Sequence, residues 1–174
     1  DKFPPEDSLD LLERKSNVTN PEIKVGIIKF PSISNFSDFD PLENEATIFV
    51  EWVKESQNLK HLDFLILPGS KQTIKDQRFL EESGLSKNIK EYSKTNGNIF
   101  GICGGLQMLG TILEDPFSKE GSETHLDKLT KGIGLLPLKT TFLKHKITRQ
   151  INSQSIWPCY SEINGFEIHN GVTE

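Results

Sequence analysis

Residues 98–110 read NIFGICGGLQMLG, and this stretch decides the fold. An apolar run that ends at Cys103 is followed at once by two glycines, an order typical of a strand that turns sharply into a helix. The apolar positions after the glycines recur at helical spacing and are Leu106, Met108, Leu109, Ile112 and Leu113. We therefore predict a strand over 98–103, a tight turn and a helix, with the cysteine side chain at the apex of the turn.

Three glycines surround that cysteine, and each has a steric reason to be there. Side chains at Gly101, Gly104 and Gly105 would crowd a tight turn between a strand and a helix. The first amides of a helix have no partner within the helix, so they can stabilise a thiolate or an oxyanion. Cys103 is therefore a candidate nucleophile. Cys159 has no such turn beside it, and we expect a buried structural cysteine there.

Upstream of this stretch, apolar runs alternate with a helical pattern. Runs rich in β-branched and aliphatic residues predict strands over 23–30, 47–53 and 62–67. Between the last of these runs and residue 98, the spacing over 77–95 predicts an amphipathic helix interrupted near Gly84. Strands that alternate with helices are typical of an α/β fold with a parallel sheet.

The remaining segments predict less regular structure. Turn-forming residues crowd 32–42, which predicts a loop after the first strand. Runs at 133–138, 140–151 and 165–169 have no helix between them, and they predict an antiparallel extension of the sheet. Residues 1–22 are rich in proline and polar residues and read as a linker or the tail of an upstream domain, which leaves 23–174 as the domain proper.

The composition is that of one globular domain and excludes several classes of protein. The chain has 174 residues, 34% of them hydrophobic, which is enough for a single core. A net charge of −5 without a basic run disfavours nucleic-acid binding. The charged N-terminus is unlike a signal peptide, and no apolar stretch approaches the roughly 18 residues of a membrane helix. With only two cysteines, we expect a reducing compartment, the cytoplasm.

The chain resembles class I, or triad-type, glutamine amidotransferases, whose glutaminase domains carry G-x-C-x-G-x-Q at the turn. Within that class it is similar to the glutaminase domains of cobyric acid synthases. The resemblance rests on five ordered blocks: FPSISNFSDFDPL at 30–42, LILPGSKQT at 65–73, GICGGLQML at 101–109, GLLPL at 134–138 and GFEIH at 165–169. The segment DSLDLL at 7–12 is also similar to the one that joins the synthetase and glutaminase domains in that family.

The resemblance implies a fold and an activity. The fold would be flavodoxin-like, with a mostly parallel central sheet flanked by helices. The activity would be hydrolysis of glutamine to glutamate and ammonia. A synthetase domain of the same polypeptide would use the ammonia, with ATP and magnesium, to amidate cobyrinic acid a,c-diamide to cobyric acid. No cofactor is then expected on this domain itself.

The resemblance also assigns roles to individual residues. Cys103 matches the nucleophile that forms a thioester with the substrate carbonyl. Gly104 would donate its backbone N–H to the oxyanion, together with a second donor from the turn at Gly69 and Ser70. Gln107 matches a glutamine that helps to hold the substrate.

A general base is harder to identify. His169 lies two residues after Glu167, which suggests a Cys-His-Glu arrangement, so His169 is a candidate base. In the family, however, a later segment carries the catalytic histidine, and the resemblance implies that this segment falls beyond residue 174. Asn170 also stands where the family has methionine. The three other histidines lie in charged or basic stretches and are expected to be solvated: His61, His125 and His145.

Other readings of the chain remain open. Lys71 follows a Gly-Ser pair, but no complete phosphate-binding loop is present, and no zinc-binding spacing occurs. Asp38 and Asp40 could hold a hard metal ion, although shaping the turn before Pro41 is the simpler role. The glutaminase subunit that amidates lipid II shares the Cys-Gly-Gly turn and is an alternative. A glutaminase-like domain kept only for contact with a synthetase is another.

Overall fold

The computed structural model describes residues 18–120, 128–157 and 159–174. Its first sheet has four strands in the order β2-β1-β3-β4. These strands are β1 (Ile23–Ile28), β2 (Ile48–Val53), β3 (Phe64–Leu67) and β4 (Asn98–Gly101). Every neighbouring pair is parallel, so all four carboxyl ends lie at one edge of the sheet. This order and direction match the predicted flavodoxin-like α/β fold.

Each strand lies within a predicted run and is a few residues shorter. The first sheet is buried on both faces, as parallel sheets require. Ile28, Leu65 and Leu67 pack with the larger core cluster, whereas Ile27 and Ile66 belong to a smaller cluster on the opposite face. Because side chains alternate along a strand, these two clusters must occupy the two sides of the sheet.

Two helices replace the single interrupted helix predicted over 77–95. They are α2 (Thr73–Glu82) and α3 (Leu85–Lys94), and they are separated at Gly84, whose φ of +79° favours glycine. The predicted loop over 32–42 contains a 3-10 turn at Phe36–Phe39 and the short helix α1 (Asp40–Glu43). Here Pro41 occupies the start of α1, where its missing N–H does no harm.

The helix predicted after the cysteine is shorter than its apolar spacing suggested. It is α4 (Gly104–Leu109), and the next apolar residues belong instead to the strand β5 (Ile112–Glu114). The helix stops because Gly110 is extended and the amide of Thr111 donates to the carbonyl of Leu138 at 2.7 Å. Apolar positions in a short helix followed by a short strand can mimic one longer helix.

The C-terminal strands are mostly antiparallel, as predicted, but they form a second sheet and do not extend the first one. This sheet has the order β6-β5-β7-β8, with β6 (Leu129–Lys131), β7 (Lys139–Ser155) and β8 (Ser161–Thr173). The pair β5–β7 is parallel, and the other two pairs are antiparallel.

The predicted strand at 133–138 is also not formed. The amides of Ile133, Leu135 and Leu136 donate instead to the carbonyls of Met108 and Leu109, and so they cover the end of α4. Within the described ranges, no helix is long and apolar enough to cross a membrane.

Candidate active site

Cys103 lies between the end of β4 and the start of α4, as the sequence predicted. Its backbone has φ +48° and ψ −109°, a conformation that residues other than glycine rarely adopt. Its side chain is exposed. Strained backbone of this kind persists only where the surrounding structure holds it in place, and it is concentrated at functional sites.

The glycines beside Cys103 allow α4 to pack directly on the end of β3. A Cβ on Gly105 would lie 2.0 Å from the carbonyl oxygen of Leu67, and one on Gly101 would lie 2.6 Å from the Cα of Leu106. Neither backbone atom can rotate away. The steric reason inferred from the sequence for these two glycines is therefore confirmed.

Two unpaired amides lie close to the cysteine. The amide nitrogen of Ser70 is 3.0 Å from the position that a Cβ on Gly104 would take, and a Cβ on Gly69 would be 3.9 Å from the Cβ of Cys103. Within the described part of the chain, neither the amide of Ser70 nor that of Gly104 has a hydrogen-bond acceptor. Paired N–H donors beside a nucleophile are the elements of an oxyanion hole.

The turn that contains Ser70 is held by the loop after β1. The amide of Ser34 donates to the carbonyl of Gly69 at 2.9 Å, and the amide of Lys71 donates to the carbonyl of Ser32 at 2.8 Å. These two bonds flank an isolated antiparallel bridge between residues 33 and 70. The loop and the turn therefore form one hydrogen-bonded unit.

Asp76, in the first turn of α2, forms hydrogen bonds to both parts of that unit. Its carboxylate accepts the Ser70 hydroxyl at 2.5 Å and the Ser32 amide at 3.1 Å, and the residue is fully buried. Burial raises the pKa of the Asp76 carboxyl, and the hydrogen bonds oppose that rise without cancelling it. Asp76 was not among the predicted site residues, because it lies just before the predicted helix and its partner Ser32 is 44 residues away.

A cavity of about 490 Å³ opens above the cysteine, a volume typical of sites for small ligands. The turns and helix α4 at the edge of the first sheet contribute Gly69, Ser70, Cys103 and Gln107 to its walls, and the second sheet contributes His169 and Asn170. The structure thus brings the predicted site residues together around one cavity, except Gly104, which is buried against Ser70. The site is formed where loops of one sheet meet a strand of the other.

Glu120 connects the two sides of this cavity, and no pattern in the sequence indicated its role. This carboxylate lies at the N-terminus of α2, where it accepts the amide and the hydroxyl of Thr73, both at 3.1 Å. Its other oxygen accepts the side-chain amide of Asn170 at 2.6 Å. Glu120 is buried, and these partners lie 47 and 50 residues away, so no local pattern could have identified it.

His169 lines the cavity but is occupied at both ring nitrogens. Nδ1 lies 2.6 Å from the carbonyl oxygen of Gly171, and Nε2 lies 2.6 Å from Oε1 of Glu167. Hydrogen bonds from Arg149 and then from His169 lower the pKa of Glu167, which keeps that carboxyl ionised. Each ring nitrogen therefore contacts an oxygen atom of β8, and among the described residues no hydrogen bond joins His169 to Cys103.

The other predicted features lie away from the cysteine or differ from expectation. His61 and His145 are exposed as expected, and His61 contacts Glu51 at 2.7 Å. His125 lies outside the described residues. Cys159 is exposed and not buried, because it follows the exposed end of the β7–β8 hairpin.

The two aspartates of the first loop take different places in the structure. Asp38 lines the cavity, whereas Asp40 begins α1. No group of three or more metal-ligating side chains occurs among the described residues. Shaping the turn before Pro41 is the role that this geometry favours.

Comparison with protein families and curated proteins identifies close relatives. A family model described as a CobB/CobQ-like glutamine amidotransferase domain matches residues 24–174. A cobyric acid synthase of Prochlorococcus marinus subsp. pastoris is 77% identical over 174 residues, and one of Prochlorococcus marinus strain NATL1A is 51% identical over 172 residues. The chain is covered almost completely in both comparisons, yet it spans only about a third of the length of these relatives.

Comparison with solved structures supports the fold. A structure described as PurLQS from Thermotoga maritima has a TM-score of 0.58 and 14% identity, covering 87% of this chain and 68% of that one. A crystal structure of a glutamine amidotransferase has a TM-score of 0.60 and 16% identity, covering 85% and 72%. At such low identity, the likeness extends to the architecture alone.

Proposed function

Because the chain belongs to the family of CobB/CobQ-like glutamine amidotransferase domains, we propose that it hydrolyses glutamine to glutamate and ammonia at Cys103. One observation carries this proposal. An exposed cysteine with a strained backbone faces a cavity of suitable size, beside two amides that have no acceptor among the described residues. A cysteine serving only to fill the core would need none of these features.

In the proposed reaction, the thiolate of Cys103 attacks the side-chain carbonyl carbon of glutamine. The carbonyl oxygen becomes an oxyanion, which the amides of Gly104 and of the Gly69–Ser70 turn stabilise by hydrogen bonds. Collapse of this tetrahedral intermediate breaks the C–N bond and releases ammonia once the nitrogen is protonated. Water then hydrolyses the thioester to glutamate and regenerates the thiol.

Gln107 is placed to hold the substrate. It is buried in α4, one turn beyond Cys103, and it lines the cavity. A Cβ on Gly171 would lie 2.8 Å from its Nε2, so α4 approaches β8 closely at this point. A carboxamide both donates and accepts hydrogen bonds, which suits it to the polar atoms of an amino acid.

We further propose that the general base is not His169. Its two ring nitrogens contact the carbonyl oxygen of Gly171 and the carboxylate of Glu167, so its part in the site is to shape the wall. The relatives are about three times as long as this chain, and we expect the base to come from a segment of such a polypeptide outside this chain. The chain alone would then hydrolyse glutamine slowly.

The fate of the ammonia follows from the relatives, which are named cobyric acid synthases. We propose that the ammonia passes to a synthetase domain of the same polypeptide. That domain would bind ATP and magnesium and amidate cobyrinic acid a,c-diamide to cobyric acid, in the cytoplasm. None of the relatives named here favours the lipid II alternative.

Substitution of the nucleophile tests the hydrolysis. Cys103→Ser, made in the longest natural polypeptide that contains this chain, should lower glutamate formation by about a thousandfold or more, because a serine hydroxyl is a far weaker nucleophile at neutral pH. The matched control is Cys159→Ser, at a cysteine that is exposed but does not line the cavity, and it should keep full activity. Undiminished turnover by the Cys103→Ser variant would refute the proposed function.

A further inference from the structure

We propose that Asp76 is a positioning residue, which holds the Ser70 amide where it can stabilise the oxyanion. The inference rests on the proposed function and adds a residue to its machinery. Asp76 does not line the cavity, so it would act only through the turn that it contacts.

The hydroxyl of Ser70 is held by two hydrogen bonds. This hydroxyl donates to the Asp76 carboxylate at 2.5 Å and accepts the amide of Gln72 at 3.0 Å. Its direction is therefore fixed from both sides. The second carboxylate oxygen accepts the amide of Ser32 at 3.1 Å, and so one buried group holds both the turn after β3 and the loop after β1.

Little space surrounds the backbone amide of Ser70. It lies 3.0 Å from the position of a Cβ on Gly104, so the turn is packed against the residue that would provide the other oxyanion donor. The relative placement of the two donors therefore depends on the position of one short turn. A displacement of about 1 Å near reacting groups can lower a rate by roughly a hundredfold.

Burying this carboxylate is unfavourable. Asp76 is fully buried, and among the influences on its pKa the charge of Lys75 is the smallest. An uncharged residue of the same shape would avoid the loss of hydration. A carboxylate has one advantage here, since both of its oxygens accept hydrogen bonds and an amide side chain offers only one acceptor.

Asp76→Asn tests the inference in the same polypeptide used for Cys103→Ser. One of the two hydrogen bonds must be lost or reversed in direction, so kcat for glutamine hydrolysis should fall by about tenfold to a hundredfold, with KM changed by less than about threefold. Alkylation of Cys103 by iodoacetamide should keep its rate, because that displacement forms no oxyanion. Binding of the γ-aldehyde analogue of glutamine should weaken, since its thiohemiacetal with Cys103 uses the oxyanion donors.

Two further variants separate positioning from general damage. Asp63→Asn removes a carboxylate that accepts the Lys24 amide at 2.8 Å in an exposed position outside the cavity, and it should leave kcat unchanged. If Asp76 acts through the Ser70 hydroxyl, the double variant Ser70→Ala/Asp76→Asn should lose little more activity than either single variant.

The outcomes distinguish this inference from the proposed function. If Cys103→Ser abolishes hydrolysis but Asp76→Asn keeps its kcat, Asp76 is not a positioning residue and the function stands. If alkylation by iodoacetamide and glutamine hydrolysis both slow by the same factor in Asp76→Asn, the site has collapsed. That result would also overturn the inference. Retained hydrolysis in Cys103→Ser would remove the function on which the inference rests.

Discussion

At the scale of single residues, Cys103 combines an exposed thiol with a backbone at φ +48°. That conformation costs a residue with a Cβ about 1–3 kcal/mol, and glycine adopts it freely. The strained backbone is therefore explained by the position that the sulfur must take, and the packing of the fold does not require it.

Cys103→Gly should raise the free energy of unfolding by about 1 kcal/mol, because the relief of strain exceeds the extra chain entropy that glycine loses on folding. It should also abolish glutamine hydrolysis. Urea unfolding at equilibrium measures the first effect. Cys159→Gly is the matched control, at a cysteine without a positive φ, and it should give no gain in stability. Equal responses of the two variants would contradict the assignment of strain to Cys103.

Asp76 should leave a signature in the pH dependence of stability. Burial raises its pKa above the ordinary 3.8, so the folded protein binds more protons at this site than the unfolded chain over the interval above that pH. The free energy of unfolding therefore decreases as the pH rises through this interval. Asp76→Asn lacks this component, so the stability of the wild type relative to the variant should fall with increasing pH. Urea unfolding from pH 4 upward measures it, and a rising difference would be contrary to the expected sign.

The residues of the site differ in how far the sequence could reveal them. Cys103 and Gly104 were predictable because a tight turn between a strand and a helix depends on residues that are adjacent in the sequence. Asp76 and Glu120 were not, because each becomes part of the site only through partners more than 40 residues away that the fold brings close. From the sequence alone, a carboxylate beside a helix rich in lysine and glutamate is predicted to be exposed to solvent.

At the scale of elements, the contact between α4 and β3 determines where the site forms. The helix approaches so closely that a Cβ on Gly105 would lie 2.0 Å from the carbonyl oxygen of Leu67 and 2.7 Å from that of Pro68. Both obstacles are backbone atoms immediately before the Gly69–Ser70 turn. Any side chain here would push the helix and the turn apart.

Gly105→Ala should accordingly lower the free energy of unfolding by about 3 kcal/mol and weaken glutamine hydrolysis, because the added methyl group overpacks the contact. Gly165→Ala is the control, since a Cβ there would meet no atom within 4 Å, and its stability should stay within about 0.5 kcal/mol of the wild type. Thermal and urea unfolding of the two variants give the comparison. Equal stabilities would mean that α4 can shift without cost.

The elements of the first sheet were predictable because buried parallel strands are short continuous apolar runs. In the second sheet, β7 and β8 contain the predicted runs at 140–151 and 165–169. The three-residue strands β5 and β6 and the six-residue helix α4 differ from the prediction. Elements this short carry too few positions for a period to be recognised. Their formation depends on contacts with chain that is distant in sequence, such as the pairing of β5 with β7.

At the scale of the whole molecule, Glu120 connects helix α2 to strand β8 of the second sheet through hydrogen bonds to Thr73 and Asn170. Glu120→Ala should lower the free energy of unfolding by about 2–4 kcal/mol, because it leaves buried donors without an acceptor. Glu114→Ala removes a carboxylate paired with Lys139 at 2.9 Å nearer the surface, and its loss should be much smaller. Comparable losses in chemical denaturation would show that the link through Glu120 contributes little.

The cavity has walls from both sheets, so its contents contribute to their cohesion. A molecule bound there touches the loops of one layer and a strand of the other, so unfolding of either layer removes part of its binding site. Occupancy therefore stabilises the two layers together. Each tenfold rise in the concentration of such a ligand above its dissociation constant adds about 1.4 kcal/mol to the free energy of unfolding, so the melting temperature should rise with that concentration.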